Sequence, residues 1–188
     1  MATNKYCGTA ADYQPVSEDH SRVVIMYGLK EDGEKAEWYQ LDFYKKQVAK
    51  PTLQQVKDAI IADIDKQTDE KILNGYEFIP DGAETPITVW LSKENQTNFS
   101  EAHRLHIVGK RFKLSETEDK QPIYHKFETF EELDRFYKGG VQYINQCLNE
   151  GWQRKDSIDW TPYAEALQPV TEEVKAESEA PKKTTKKK

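Results

Sequence analysis

The sequence predicts a mixed α+β protein: two hairpin-plus-helix (ββα-like) units with a linking strand and helix, a flexible N-terminal arm and a disordered C-terminal tail. Three observations carry this. Short β-branched and aromatic runs come in pairs around polar turns. Two long segments of helical periodicity each begin at a threonine followed three residues later by glutamine or glutamate. Hydrophobicity then collapses beyond residue 168. The expected organisation is an arm over 1–20, an α+β domain over 21–168 containing repeated units at 21–80 and 86–152, and a charged tail over 169–188.

Residues 1–20 are polar and aperiodic, with Tyr6 and Tyr13 their only large apolar groups, so they order only if a surface receives them. From Ser21 the run RVVIMYGL, the turn KEDGEK around Gly33 and the alternating AEWYQLDFY form a hairpin. Thr52 and Gln55 then make a capping box, and Leu53, Val56, Ile60 and Ile64 share one helical stripe that Asn74-Gly75 ends. YEFIP and TPITVWL follow as short strands around Asp81-Gly82. Pro80 and Pro86 sit at their ends because a proline cannot donate to a central ladder.

Ser92 stops the second of these strands and caps a helix expected to run to Val108, with Phe99, Ala102 and His106 on its apolar side, near Leu105 and Ile107, and Gly109 at its end. KRFKL and PIYHKF form another hairpin around SETEDKQ. Thr129 and Glu132 repeat the capping box at the head of a long amphipathic helix marked by Phe130, Leu133, Phe136, Tyr137, Val141, Ile144, Leu148 and Trp152. The shared plan of hairpin, Thr-capped helix and glycine beside an aromatic (Gly75-Tyr76, Gly151-Trp152) suggests a duplicated unit. Gly139-Gly140 inside the last helix costs about 1 kcal/mol per glycine relative to alanine. The pair therefore implies a kink or the close approach of another backbone. Trp160 and Tyr163 are placed to pack back on the body.

Composition narrows the function classes. Apolar residues are 37% against 32% charged, so the core leans on the 4 Trp, 10 Tyr and 7 Phe. No apolar run reaches the length of a membrane span, and the first residues lack the pattern of a signal peptide. Formal net charge is −6, but the last seven residues, KKTTKKK, hold five lysines, and the remainder stands at −11. A body that acidic repels phosphate, which leaves Lys182, Lys183, Lys186, Lys187 and Lys188 as the electrostatic contact for nucleic acid.

Motifs for chemistry are sparse. Cys7 and Cys147 stand in no metal or redox spacing. His103 and His106, three apart on one helix, lack the further ligands zinc needs, and His125 faces nothing recognisable. No Gly-x-Ser-x-Gly elbow and no phosphate-cradling glycine loop occur. Glu131, Glu132 and Asp134 complement the dipole of a first helical turn. Trp38, Tyr39, Phe43 and Tyr44 would suit base stacking, but Lys45, Lys46 and Lys50 lie beyond that strand, and core packing accounts for the aromatics better. The sequence therefore predicts no catalytic residue, no metal and no cofactor. Asn95, Gln96 and Asn98 read first as amides that serve local backbone groups at a strand–helix joint; Asn95 and Gln96, with Tyr6 and Tyr13, are also the candidate protein-interface residues.

The segment VWLSKENQTNF, followed by FKLSETEDKQPIYHKFETFEELDRFY and LNEGW, resembles small proteins of bacteriophages that infect Bacteroides-like hosts. It is similar to a domain of unknown function found at the ends of phage tail-fibre and tail-assembly proteins, which carries a polar tract, an aromatic strand and a T-x-E-E-L helix start, here Thr129, Glu131, Glu132 and Leu133. The likeness covers residues 88–152 and departs in spacing. It implies a non-enzymatic virion or tail-associated structural protein, assembled in the host cytoplasm, whose partners are other virion or tail proteins or further copies of itself. The second expectation is a small phage-encoded regulator or nucleic-acid-associated protein that uses its lysine tail.

Overall fold

The computed structural model describes residues 4–46 and 50–168, and the protein is mixed α+β, as the sequence predicts. The tail expected over 169–188, with Lys182, Lys183, Lys186, Lys187 and Lys188, lies outside the described residues. The chain divides into two compact units: residues up to Asp58 together with those from Asp159 onward, and Ala59–Ile158.

The first unit is built on a four-stranded antiparallel sheet. Strands β1 (Asn4–Gly8), β2 (Val16–Glu18), β3 (Arg22–Asp32) and β4 (Lys35–Tyr44) lie in the order β1-β4-β3-β2. The β3–β4 hairpin closes on Gly33-Glu34, where Gly33 takes φ +61°, and its register pairs Val23 with Phe43, Ile25 with Leu41 and Tyr27 with Tyr39 on one buried face.

The flexible arm expected over residues 1–20 is, from Asn4 onward, received by this same chain. Tyr6 lies opposite Trp38 on β4, and β2 pairs with β3 through Val16 and Ile25. Between those strands a 3-10 turn, Ala10–Asp12, lays the segment over the Trp38 ring. A side chain at Gly8 would stand 2.7 Å from that ring, and Tyr13 meets it edge-on. The physical reason is that β3 and β4 are longer and more apolar than a lone hairpin needs. Their outer edges offer unpaired donors and acceptors, which the polar N-terminal residues fill with main-chain bonds. Helix α4 (Thr161–Leu167) completes the unit: the Tyr163 hydroxyl donates to the Met26 carbonyl at 2.7 Å, a carbonyl that also accepts from Tyr13 at 3.2 Å.

Helix α1 (Leu53–Asn74) starts with the full capping box: the Thr52 N–H donates to Gln55 Oε1 and the Gln55 N–H to Thr52 Oγ1. Val56, Ile60, Ile64 and Ile72 are its buried stripe. Gly75 ends it with φ +84°.

In the second unit, strands β5 (Tyr76–Phe78) and β6 (Ile87–Val89) pair, as do β7 (Arg111–Glu116) and β8 (Pro122–Lys126). The two hairpins stand side by side, linked where the Trp90 N–H donates to the Leu114 carbonyl at 2.9 Å. Helices α2 (Lys93–Arg104) and α3 (Phe130–Asp156) contribute to a core centred on Phe136. Phe99 and Phe78 meet that ring edge-to-face at 4.8 and 5.0 Å, within the range aromatic pairs prefer.

Four expectations change here. Helix α2 stops at Arg104 instead of Val108. The Ile107 N–H returns to the Ala102 carbonyl and the His106 N–H to the His103 carbonyl, a Schellman ending with His106 in the left-handed region at φ +54°. Leu105 is consequently turned outward, 54% exposed. The second capping box is half formed: the Glu132 N–H donates to Thr129 Oγ1, but the Glu132 carboxylate serves other partners. Gly139-Gly140 admits no second backbone; the Tyr76 ring lies over both glycines, 3.2 and 3.3 Å from where their Cβ atoms would stand. The plan shared by the two expected units differs at its glycine. Gly75 ends a helix, whereas Gly151 lies inside α3, where a Cβ would stand 2.6 Å from the Thr68 hydroxyl of α1.

Candidate functional site

The strand–helix joint at residues 90–96 is fastened by its own amides. Ser92 Oγ accepts from the Asn95 N–H at 3.2 Å, Asn95 Nδ2 donates to the Trp90 carbonyl at 2.9 Å, and Gln96 Nε2 donates to the Leu91 carbonyl at 2.6 Å. Both candidate amides thus hold the carbonyls of the two residues that follow β6 against the first turn of a helix, where polar side chains compete well for backbone groups. The four candidate interface residues are divided between the two units. Asn95 and Gln96 belong to this joint, while Tyr6 and Tyr13 pack in the N-terminal sheet.

Gln96 also borders an open apolar groove of about 240 Å³ between α2 and α3, walled by Tyr76, Leu91, Phe99, Tyr137, Val141 and Ile144. The floor exists because Gly139 and Gly140 leave room for Tyr76. Its hydroxyl donates to the Phe136 carbonyl at 2.5 Å, and burial pushes its pKa upward. Along α3 the wall continues: Tyr137, Val141, Ile144, Leu148 and Trp152 recur at three- and four-residue spacing, a stripe of about 22 Å at the helical rise. Its inner edge packs on the core, and its outer edge leaves Val141 38% and Trp152 55% exposed. Sequence periodicity identified this stripe as the apolar face of an amphipathic helix, because spacing reports which face is apolar and is silent on what covers it.

The histidines belong to the same unit. His103 stacks between Tyr137 and Phe130, with ring centroids 4.3 and 5.4 Å away, and its Nε2 lies 2.9 Å from Asp134 Oδ1. Asp134 also accepts from Lys138, and these two partners hold its carboxyl below the ordinary carboxylate range. His106 also packs on Phe130, with ring centroids 4.0 Å apart. His125 Nε2 meets the Glu132 carboxylate at 3.0 Å, and the same oxygen accepts the Asp81 N–H at 2.9 Å, joining β8, α3 and the β5–β6 connection. Among the described residues, no three His, Cys, Asp or Glu side chains gather as a metal would need. Cys7 is exposed and Cys147 buried.

Compared with known protein families, with curated proteins and with solved structures, the chain matches none of them. No helix among the described residues is long and apolar enough to cross a membrane.

Proposed function

We propose that this chain works by binding other proteins, as a structural component of a phage virion or its tail, and that the α2–α3 groove with the outer edge of α3 is the docking surface. The observation that carries the reading is the α3 stripe: Val141 is left exposed in the wall of an apolar groove lined by aromatic rings, and the Trp152 indole stands exposed farther along the same helix face. Exposed tryptophans beside preformed apolar recesses are the usual anchors of protein interfaces. The pair of glycines supports it as well, since they cost helix stability and in return seat the Tyr76 ring that lines the groove. In this reading the partners are other virion or tail proteins or a second copy of the chain, met after synthesis in the host cytoplasm.

The test is the composition of the particle. Phage particles purified from the source are expected to contain the chain at fixed stoichiometry, and a Trp152→Glu, Val141→Glu variant is expected to be left out of them while remaining folded. Particles that lack the wild-type chain would overturn the reading, as would incorporation of the variant at the wild-type level.

A further inference from the structure

The outer face of the two hairpins has a different chemistry from the groove. Alternation along the strands turns Phe112, Leu114 and Phe127 inward and leaves Thr88, Trp90, Arg111, Lys113, Tyr124 and Lys126 exposed. Two aromatics and three cations thus share one surface. The Arg111 guanidinium lies 4.2 Å from the Tyr124 ring centre, and the Lys113 ammonium 6.0 Å from that of Trp90. Trp90 and Tyr124 are 38% and 45% exposed.

Charge is concentrated there against the interest of the fold. Arg111 stands directly opposite Lys126 in the β7–β8 register, a like-charge cross-strand pair that opposes stability. Lys113 and Lys126 hold Glu116 and Glu128, but among the described residues no carboxylate comes within 4 Å of Lys110 or Arg111. Beside these cations a recess of about 390 Å³ opens between β7 and the first turn of α2, lined by Trp90, Ser92, Asn95, Asn98, Lys110 and Arg111, with Glu94 its acidic group. That volume lies within the ~300–1,000 Å³ of small-molecule pockets.

We propose that this face binds single-stranded nucleic acid, with Trp90 and Tyr124 as stacking surfaces and Lys110, Arg111 and Lys113 as phosphate contacts. Flat rings set among cations match unstacked bases joined by phosphates. A duplex keeps its bases stacked on one another and would leave both rings unused. An acidic protein segment would satisfy the cations and likewise leave the rings without a partner. The acidity of the chain as a whole confines binding to this face, and its phosphate contacts make it sensitive to salt. The proposal is independent of the groove and of the virion reading.

The experiment is fluorescence anisotropy of labelled twelve-nucleotide oligo-dT and oligo-rU with the full chain, in a background where Lys182, Lys183, Lys186, Lys187 and Lys188 are replaced by glutamine. Binding is expected to persist in that background. Trp90→Ala and Tyr124→Ala should each weaken it about ten-fold, the loss of one stacked base, and Arg111→Ala should weaken it and reduce its salt dependence. Arg111 is a surface residue, so its variant keeps the test decisive if Trp90→Ala fails to fold. Three results would overturn the proposal: loss of binding on neutralising the tail, which places the affinity in the lysines; unchanged affinity in the ring variants and Arg111→Ala; or polyglutamate competing as well as the oligonucleotide with equal effect on wild type and Trp90→Ala, which makes the partner an acidic protein segment.

Discussion

Gly75 is held by two independent constraints. Its φ of +84° is a conformation that costs an alanine about 1–2 kcal/mol, and a Cβ there would stand 1.8 Å from the Val89 carbonyl oxygen. Gly75→Ala is therefore expected to destabilise the protein by more than about 3 kcal/mol, read as a lower urea midpoint; a loss under about 1 kcal/mol would mean that the β5–β6 hairpin shifts freely. Ser115 points the other way. It is 2% exposed at the β7 bulge, and its hydroxyl finds no partner among the described residues. Since an unpaired buried hydroxyl costs about 1–3 kcal/mol, Ser115→Ala should leave the melting temperature unchanged or raise it. A clear fall would reveal a hydrogen bond made through water. Gly75 was legible in the sequence, because an Asn-Gly pair after a helical stripe is a local stop signal. Ser115 was not, since nothing in KRFKLSE says that a bulge turns consecutive residues, Leu114 and Ser115, inward.

The two long helices begin with the same sequence signature and use it differently. At α1 the Gln55 amide closes the box on its own exposed turn, so Gln55→Ala should cost about 0.5–1 kcal/mol. At α3 the Glu132 side chain is 4% exposed and ties His125 and the Asp81 N–H to the helix start. Glu132→Ala takes a charged acceptor from two part-buried partners and should cost about 1.5–3 kcal/mol. Equal losses in the two variants, by chemical denaturation, would show that the Glu132 contacts add nothing beyond a cap. Thr-x-x-Glu announces a helix start in both cases, because the cap is made by residues a turn apart. The Glu132 carboxylate departs from the box because β8 and the β5–β6 connection bring the His125 ring and the Asp81 N–H to it, and both segments lie outside the helix start.

Across the whole molecule the charged groups set a pH window. Asp12, Asp19, Asp134 and Asp159 are held below the ordinary carboxylate range. Thr9 hydrogen bonds do this for Asp12, the Ser21 and Arg22 N–H groups for Asp19, Lys138 and His103 for Asp134, and Thr161 for Asp159. Their folded pKa values are depressed, so what they contribute is present above the ordinary value of about 4 and is lost as the pH falls through the lower folded values. Lys5, Lys71 and Lys113 are raised, chiefly by hydrogen bonds to Glu37, Glu150 and Glu116; their contribution is present below the ordinary lysine value of about 10.5 and fades as the pH climbs past it. The melting temperature should plateau between about pH 5 and 9 and fall on both sides. Asp19→Asn should flatten the acid limb; an acid limb as steep as the wild type's would remove Asp19 from the account.

Hydrophobic alternation, helical spacing and the Thr and Ser caps all act over one or two turns, and from them the sequence alone settled the class of the protein, its two hairpin–helix segments, the joint at Ser92 and the amides that fasten it. Assembly decided the rest. The N-terminal residues carry no periodicity of their own, so only the β3 and β4 edges could turn them into strands. The stripe on α3 looks like any other core face until its outer edge is seen to leave Trp152 55% exposed. The cations of β7 and the aromatics at Trp90 and Tyr124 lie on separate strands, and only the pairing of those strands places them on one surface.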